Sequence, residues 1–76
     1  MNIQYSKQAL KFLLRQNKPT QERLITAIKK LPEGDVKKMQ GLSLYRLRVG
    51  DFRILFARNG QIINIEKIDN RGQIYK

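Results

Sequence analysis

Hydrophobic and polar residues alternate through the middle of the chain on both sides of Gly50-Asp51, a dipeptide typical of a tight turn. The apolar positions of this stretch are Tyr45, Leu47, Val49, Phe52, Ile54 and Phe56. Because residues two apart on a strand share a face, the pattern predicts a β-hairpin with one apolar side. The intervening Arg46, Arg48 and Arg53 are then expected to lie together on the opposite face.

Two helices are predicted before this hairpin. Ser6 is a residue type that caps helices, and apolar residues at helical spacing follow it. A second helix is predicted from about Thr20 to Lys30. The two apolar stripes consist of Ala9, Leu10, Phe12, Leu13 and Leu14, and of Leu24, Ala27, Ile28 and Leu31. Asn17-Lys18-Pro19 interrupts the helical pattern, and so short a connection predicts a helical hairpin.

The remaining segments predict strands. Ile3 and Tyr5 alternate with polar residues at the start of the chain, and three further strands are expected over about 43–49, 52–58 and 61–69. Asn59-Gly60 is typical of a two-residue hairpin turn, and Ile63 and Ile65 are expected to face inward. The chain, residues 1–76, is therefore predicted to be one α+β domain in the order β-α-α-β-β-β. Its antiparallel sheet would carry the helical hairpin on one face.

Composition narrows the classes of function. The chain has 76 residues, no cysteine, no histidine and a formal net charge of +10. Disulfides, zinc sites and the commonest neutral-pH proton shuttle are therefore not expected, nor is any other cofactor or metal. We expect a cytoplasmic protein with no membrane-spanning segment. The large positive charge favours a nucleic acid or an acidic protein as partner.

The residues left for chemistry are the arginines and Tyr75, near the end of the chain. Guanidinium groups are forked donors that suit phosphate oxygens, and three close together repel one another unless an anion joins them. RNA supplies its own nucleophile, the 2′-hydroxyl, so arginines aimed at the developing charge can support cleavage without a metal. The alternative is a polar sheet face that only contacts water. Tyr45 and Phe52 are interpreted as core residues rather than as platforms for base stacking.

Three segments carry a resemblance to a known family. They are Lys38-Met39-Gln40-Gly41-Leu42, the stretch 45–56 already described, and Arg71-Gly72-Gln73-Ile74-Tyr75-Lys76. The sequence resembles the RelE/ParE superfamily of type II toxin–antitoxin toxins, and the predicted order of helices and strands agrees along the chain. The resemblance implies a RelE-like fold and a ribosome-dependent mRNA endonuclease that enters the A site. It also implies an acidic antitoxin that wraps the toxin in a hetero-oligomer.

The resemblance assigns roles to five residues. Arg46 and Arg48 correspond to two basic strand residues that bind the scissile phosphate, of which the second helps to deprotonate the 2′-hydroxyl. Arg53 corresponds to an arginine that stabilises the transition state. Tyr75 corresponds to a tyrosine that orients or activates the attacking hydroxyl. Arg71 is the nearest match to an arginine that acts as the acid for the leaving oxygen.

Further basic residues are expected to bind RNA, and two alternative functions are considered. Lys37, Lys38 and Lys76 are predicted to contact RNA together with Arg46 and Arg48. Relatives carry lysine where this chain has Arg48, and a guanidinium is a poor general base, so Tyr75 would take that role.

One alternative is a ParE-like inhibitor of DNA gyrase without catalysis. The other is a non-toxic family member that only binds a partner.

Overall fold

The computed structural model describes residues 2–41 and 43–70. The elements in chain order are β1 (Asn2–Tyr5), α1 (Lys7–Arg15), α2 (Lys18–Lys29), β2 (Val36–Lys38), β3 (Tyr45–Val49), β4 (Phe52–Asn59) and β5 (Ile62–Asn70). The strands form a single five-stranded sheet in the order β1-β5-β4-β3-β2. Both helices contribute buried residues to a core on one face of this sheet.

The predicted α+β class and the central hairpin are confirmed, whereas two details of the predicted sheet are wrong. β1 pairs parallel with β5, so the sheet is mixed and not purely antiparallel. The two intervening helices form the long crossover connection that a parallel arrangement needs. The second difference is the additional strand β2, which pairs antiparallel with β3. Its three residues are too few to produce a periodic hydrophobic pattern.

The core follows the alternation of the strands and one stripe of each helix. Its fully buried residues are Ala9, Leu24, Ile28, Leu47, Ile54, Phe56, Ile63, Ile65 and Ile68, at 2% exposure or less. Ile63 and Ile65 therefore face inward as predicted. Tyr45 stacks on Phe56 with ring centroids 5.4 Å apart, and Phe52 meets Phe12 edge to face at 5.9 Å. Both predicted core aromatic residues are thus used in packing.

The predicted apolar stripe of α1 is too wide. Ser6 caps the helix as expected, and its side chain accepts a hydrogen bond from the Ala9 amide at 3.1 Å. Ala9 and Leu13 are buried, but Leu10 is 47% and Leu14 77% exposed. Each of these two leucines follows its buried neighbour by one residue, a rotation of about 100° around the helix, which turns it away from the sheet.

Both hairpin turns begin with glycine. Gly50 and Gly60 have φ angles of 59° and 60°, and the turn residues that follow them have negative φ. This combination matches a type II′ turn, in which the first central residue has positive φ and is therefore glycine. Because Asn59 pairs with Ile62, the second loop consists of Gly60 and Gln61 and not of the predicted Asn59-Gly60.

Side chains of the first helix complete the outer edge of β5. β1 pairs with residues 62–65 of the nine-residue strand, and among the described residues no strand pairs with its second half on that side. The Ser6 hydroxyl donates to the Glu66 carbonyl at 2.7 Å. The Gln8 side-chain amide donates to the Ile68 carbonyl and accepts from the Ile68 amide, both at 3.0 Å. Gln8 therefore reproduces the two bonds that a partner strand would make.

We predict that Gln8→Ala lowers the free energy of unfolding by about 1–2 kcal/mol, because it removes two hydrogen bonds to one backbone residue. Urea denaturation followed by circular dichroism measures this change. Lys11→Ala, an exposed substitution on the same helix, is the control and is expected to change stability by less than about 0.5 kcal/mol. Equal stability of the two variants would contradict the structural role of Gln8.

Candidate nucleic-acid interface

The sheet face turned away from the helices carries three arginines. Arg46, Arg48 and Arg53 alternate with the buried Leu47 and Ile54, so their side chains leave the sheet on the side opposite the core. We call these three residues the arginine face. The predicted clustering of the three guanidinium groups on one side of the hairpin is confirmed by the register of β3 and β4.

Two members of the arginine face lie directly opposite each other. Arg48 pairs with Arg53 across the hairpin, one position beyond the pair that closes the turn. The Arg48 amide does not bond β4 but donates to the Asp35 carbonyl at 3.0 Å. The two arginines therefore form a non-hydrogen-bonded pair, in which side chains approach most closely. Like charges in this arrangement are destabilising, and an anion between them removes the repulsion.

Arg46 occupies the middle of the face. It pairs with Lys37 on β2 and with Leu55 on β4, so another cation and an apolar side chain flank it. Its Nε atom is buried and meets no hydrogen-bond acceptor among the residues that the structure describes. A buried N–H without an acceptor costs free energy, which an incoming phosphate oxygen would recover.

Arg48 and Arg53 lie between two aspartates in a row that runs across the strands. The row consists of Asp35, Arg48, Arg53 and Asp69. The Asp35 carboxylate is 3.4 Å from the Nε atom of Arg48, and the two side chains are 63% and 45% exposed. Asp69 is the β5 residue that pairs with Arg53, and its carboxylate is 3.3 Å from the Lys67 ammonium. Exposed ion pairs contribute at most about 1 kcal/mol, so Asp35 does not neutralise the face.

The structure places only some of the other predicted RNA-binding residues on this side. Lys37 shares the arginine face because it pairs with Arg46. Lys38 pairs with Tyr45, a core-packed residue, and therefore projects from the opposite side of the sheet. Arg71, Tyr75 and Lys76 lie outside the residues that the structure describes.

The sequence did not predict that Asp35 and Asp69 lie beside the arginines. Asp35 precedes β2, a strand without a sequence signal. Asp69 shares the row because Lys67 pairs with Leu55 while Ile65 pairs with Phe56, which leaves an extra residue, Glu66, in β5. Such a bulge shifts the alternation by one position and cannot be located from the hydrophobic pattern.

A groove of about 570 Å³ runs beside the interface, between α2 and β3. Its lining residues include Arg23, Ala27, Lys30, Glu33, Asp35, Leu47, Arg48 and Val49. Arg23 lies against the turn, since a Cβ atom on Gly50 would come within 2.5 Å of its Nη2 atom. Arg48 and Asp35 thus stand at the boundary between the groove and the arginine face.

Over residues 2–41 and 43–70, no three acidic side chains come together as a candidate metal site. No helix within these ranges is long and apolar enough to cross a membrane.

Comparison with known proteins identifies the fold. No protein-family model matches the chain, and no curated protein matches it in sequence. Among solved structures, it is similar to a chain of the RelB–RelE antitoxin–toxin complex from Methanococcus jannaschii, with a TM-score of 0.79 and 26% identity over 95% of this chain and 94% of that chain. The archaeal RelE–RelB complex from Pyrococcus horikoshii OT3 gives a TM-score of 0.77 and 27% identity over 95% and 96% of the two chains.

More distant similarity extends to the intact E. coli RelBE toxin–antitoxin complex, with a TM-score of 0.74 and 13% identity over 91% of this chain and 94% of that chain. The α+β domain is therefore a RelE-like toxin fold, and the resemblance drawn from the sequence is confirmed by the structure. The arginine face lies on the side of this sheet that the two helices do not cover.

We predict that the arginine face binds polyphosphate. Millimolar tripolyphosphate is expected to raise the melting temperature by several degrees, because a ligand that binds only the folded state stabilises it. Arg46→Gln should raise the dissociation constant for tripolyphosphate about tenfold, since a hydrogen bond to a charged group contributes about 1.5–3 kcal/mol. Differential scanning fluorimetry over a concentration series measures both effects.

The matched control is Arg58→Gln. Arg58 is an exposed arginine of β4 that pairs with the buried Ile63, so it projects from the helix-covered side of the same strand. It should keep the affinity of the wild-type protein. An equal loss in the two variants would mean that tripolyphosphate responds only to net charge.

Proposed function

We propose that this protein is the toxin of a type II toxin–antitoxin system and cleaves ribosome-bound mRNA. The observation that carries the proposal is the arginine face, which lies on the side of a RelE-like sheet that the helices do not cover. During cleavage, the negative charge on a phosphodiester increases as the pentacoordinate transition state forms. Three guanidinium groups within one hairpin can stabilise this charge.

The proposed reaction is an internal displacement. The 2′-oxygen attacks the adjacent phosphorus, the bond from phosphorus to the 5′-oxygen breaks, and the products are a 2′,3′-cyclic phosphate and a 5′-hydroxyl. The 2′-hydroxyl gives up one proton and the leaving 5′-oxygen gains one. Arg46, Arg48 and Arg53 hold the nonbridging oxygens, and their paired arrangement favours the more highly charged transition state over the substrate.

Proton transfer falls to residues outside the described part of the chain. A guanidinium stays protonated at neutral pH and therefore does not act as a base. In the proposed mechanism Tyr75 therefore activates the 2′-hydroxyl and Arg71 assists the leaving oxygen, as the sequence resemblance implies. Lys37 and Lys76 add contacts to the RNA backbone.

An acidic antitoxin is the proposed protein partner. The similar structures include complexes of RelE with RelB, of YoeB with YefM and of YafQ with DinJ. A formal net charge of +10 on this chain favours an acidic partner, which would also cover the arginine face. We place the protein in the cytoplasm, where the ribosome is found.

We predict that the wild-type protein introduces breaks into an mRNA that is being translated in a reconstituted system, detected by primer extension. Arg53→Ala should lower the cleavage rate at least about 100-fold, as expected for loss of one transition-state donor. Tyr75→Phe should lower it about 10²–10⁴-fold if the phenol transfers the proton.

Arg58→Ala is the control and is expected to cleave at the wild-type rate, with circular dichroism confirming that each variant folds. Breaks that persist in Arg53→Ala would contradict the proposed site. Cleavage of DNA in the presence of gyrase, unchanged by Tyr75→Phe, would instead identify a ParE-like inhibitor. Harmless expression and no cleavage would indicate a protein that only binds its partner.

We also predict that association with single-stranded RNA weakens steeply with salt, because each phosphate contact releases a counterion. Three arginines, Lys37 and Lys76 predict a slope of about −3 to −4 in a plot of log affinity against log salt, at about −0.7 per contact. Fluorescence anisotropy from low to moderate salt measures it. Arg53→Ala should reduce the slope by about 0.7, and a flat dependence for the wild-type protein would refute the proposed contacts.

A further inference from the structure

We infer that Asp35 is a positioning residue, which holds Arg48 in the orientation that the proposed RNA cleavage requires. The inference rests on the proposed function and extends it to an acidic residue. Asp35 belongs to the connection between α2 and β2 and has no place in the arginine face itself.

Asp35 holds Arg48 at two points. Its carbonyl accepts the Arg48 amide at 3.0 Å, which extends the pairing of β2 and β3 by one residue. Its carboxylate lies 3.4 Å from the Arg48 Nε atom. The backbone bond fixes where the side chain of Arg48 begins, and the ion pair favours one direction for its guanidinium.

The ion pair occupies only one edge of the guanidinium. A guanidinium carries five N–H donors, and contact at Nε leaves the two terminal nitrogens available for a bidentate contact with phosphate. Arg48 is 45% exposed along its side chain and faces the like charge of Arg53. Without Asp35, this repulsion would turn the mobile guanidinium outward into water and away from the phosphate position.

The backbone before Asp35 supports this placement. Gly34 has a φ of 121°, a backbone conformation that residues other than glycine rarely adopt. A Cβ atom at this position would lie 3.1 Å from the Leu47 Cδ1 atom. The Gly34 carbonyl accepts the Val36 amide at 2.9 Å, which folds the chain tightly around Asp35. The carboxylate is therefore presented to Arg48 by a constrained turn.

Asp51 provides a matched control for the charge of Asp35. It is an exposed aspartate in the turn between β3 and β4, two residues before Arg53, and it has no part in the proposed site. Asp35→Asn and Asp51→Asn each remove one negative charge near the arginine face. Both should bind RNA slightly more tightly, but only Asp35→Asn should release Arg48.

The test measures RNA affinity and the cleavage rate constant at saturating RNA for the two variants. Asp35→Asn should lower the rate constant about two- to fivefold, the effect of an exposed ion pair, while affinity is unchanged or higher. Asp51→Asn should leave the rate constant at the wild-type value. Asp35→Glu, which restores the charge, should recover part of the loss. In an Arg48→Lys background, Asp35→Asn should have less effect.

A second readout does not depend on cleavage. The Arg48 Nε–H signal in ¹H–¹⁵N spectra should be protected from exchange in wild-type protein and in Asp51→Asn, and should lose protection in Asp35→Asn. Equal rate constants for the two asparagine variants, with wild-type cleavage intact, would overturn the inference alone. No cleavage by the wild-type protein would overturn the proposed function and, with it, the positioning role of Asp35 in cleavage, even if the Arg48 Nε–H is protected from exchange.

Discussion

The opposition of Arg48 and Arg53 across the β3–β4 hairpin is the constraint on which the candidate site depends. Two like charges at a non-hydrogen-bonded position disfavour the pairing, yet the same register places Leu47 against Ile54 in the core. Burial of Leu47 and Ile54 together contributes about 3–6 kcal/mol, which offsets the roughly 1–4 kcal/mol by which two like charges about 4 Å apart near a protein surface repel each other. Hydrophobic burial therefore holds the arginines together.

This coupling links the stability of the sheet to the proposed binding of an anion. A slip of the register by one residue would separate the arginines, but it would also turn the apolar residues of the strand into water. The type II′ turn at Gly50 fixes the same register from the other end. An anion on the arginine face consequently meets donors that are already in position, and binding does not have to provide the free energy of assembling them.

The two edges of the sheet are protected in different ways. At the β5 edge, Ser6 and Gln8 satisfy backbone groups that β1 does not reach. At the opposite edge, the short strand β2 carries Lys37 and Lys38, and charged residues on a short edge strand oppose uncontrolled strand pairing. The basic residues of β2 thus serve the fold as well as extending the positive surface.

The two helices, the apolar side of the hairpin and the common face of Arg46, Arg48 and Arg53 could all be predicted from the order of residues. Each of these depends on local periodicity, which is visible in the order of residues. Three features emerged only from the folded chain: the parallel pairing of β1, the exposure of Leu10 and Leu14, and the approach of Asp35 to Arg48. These features depend on contacts between distant segments, and a three-residue strand or a single bulge leaves no periodic signal from which such contacts can be read.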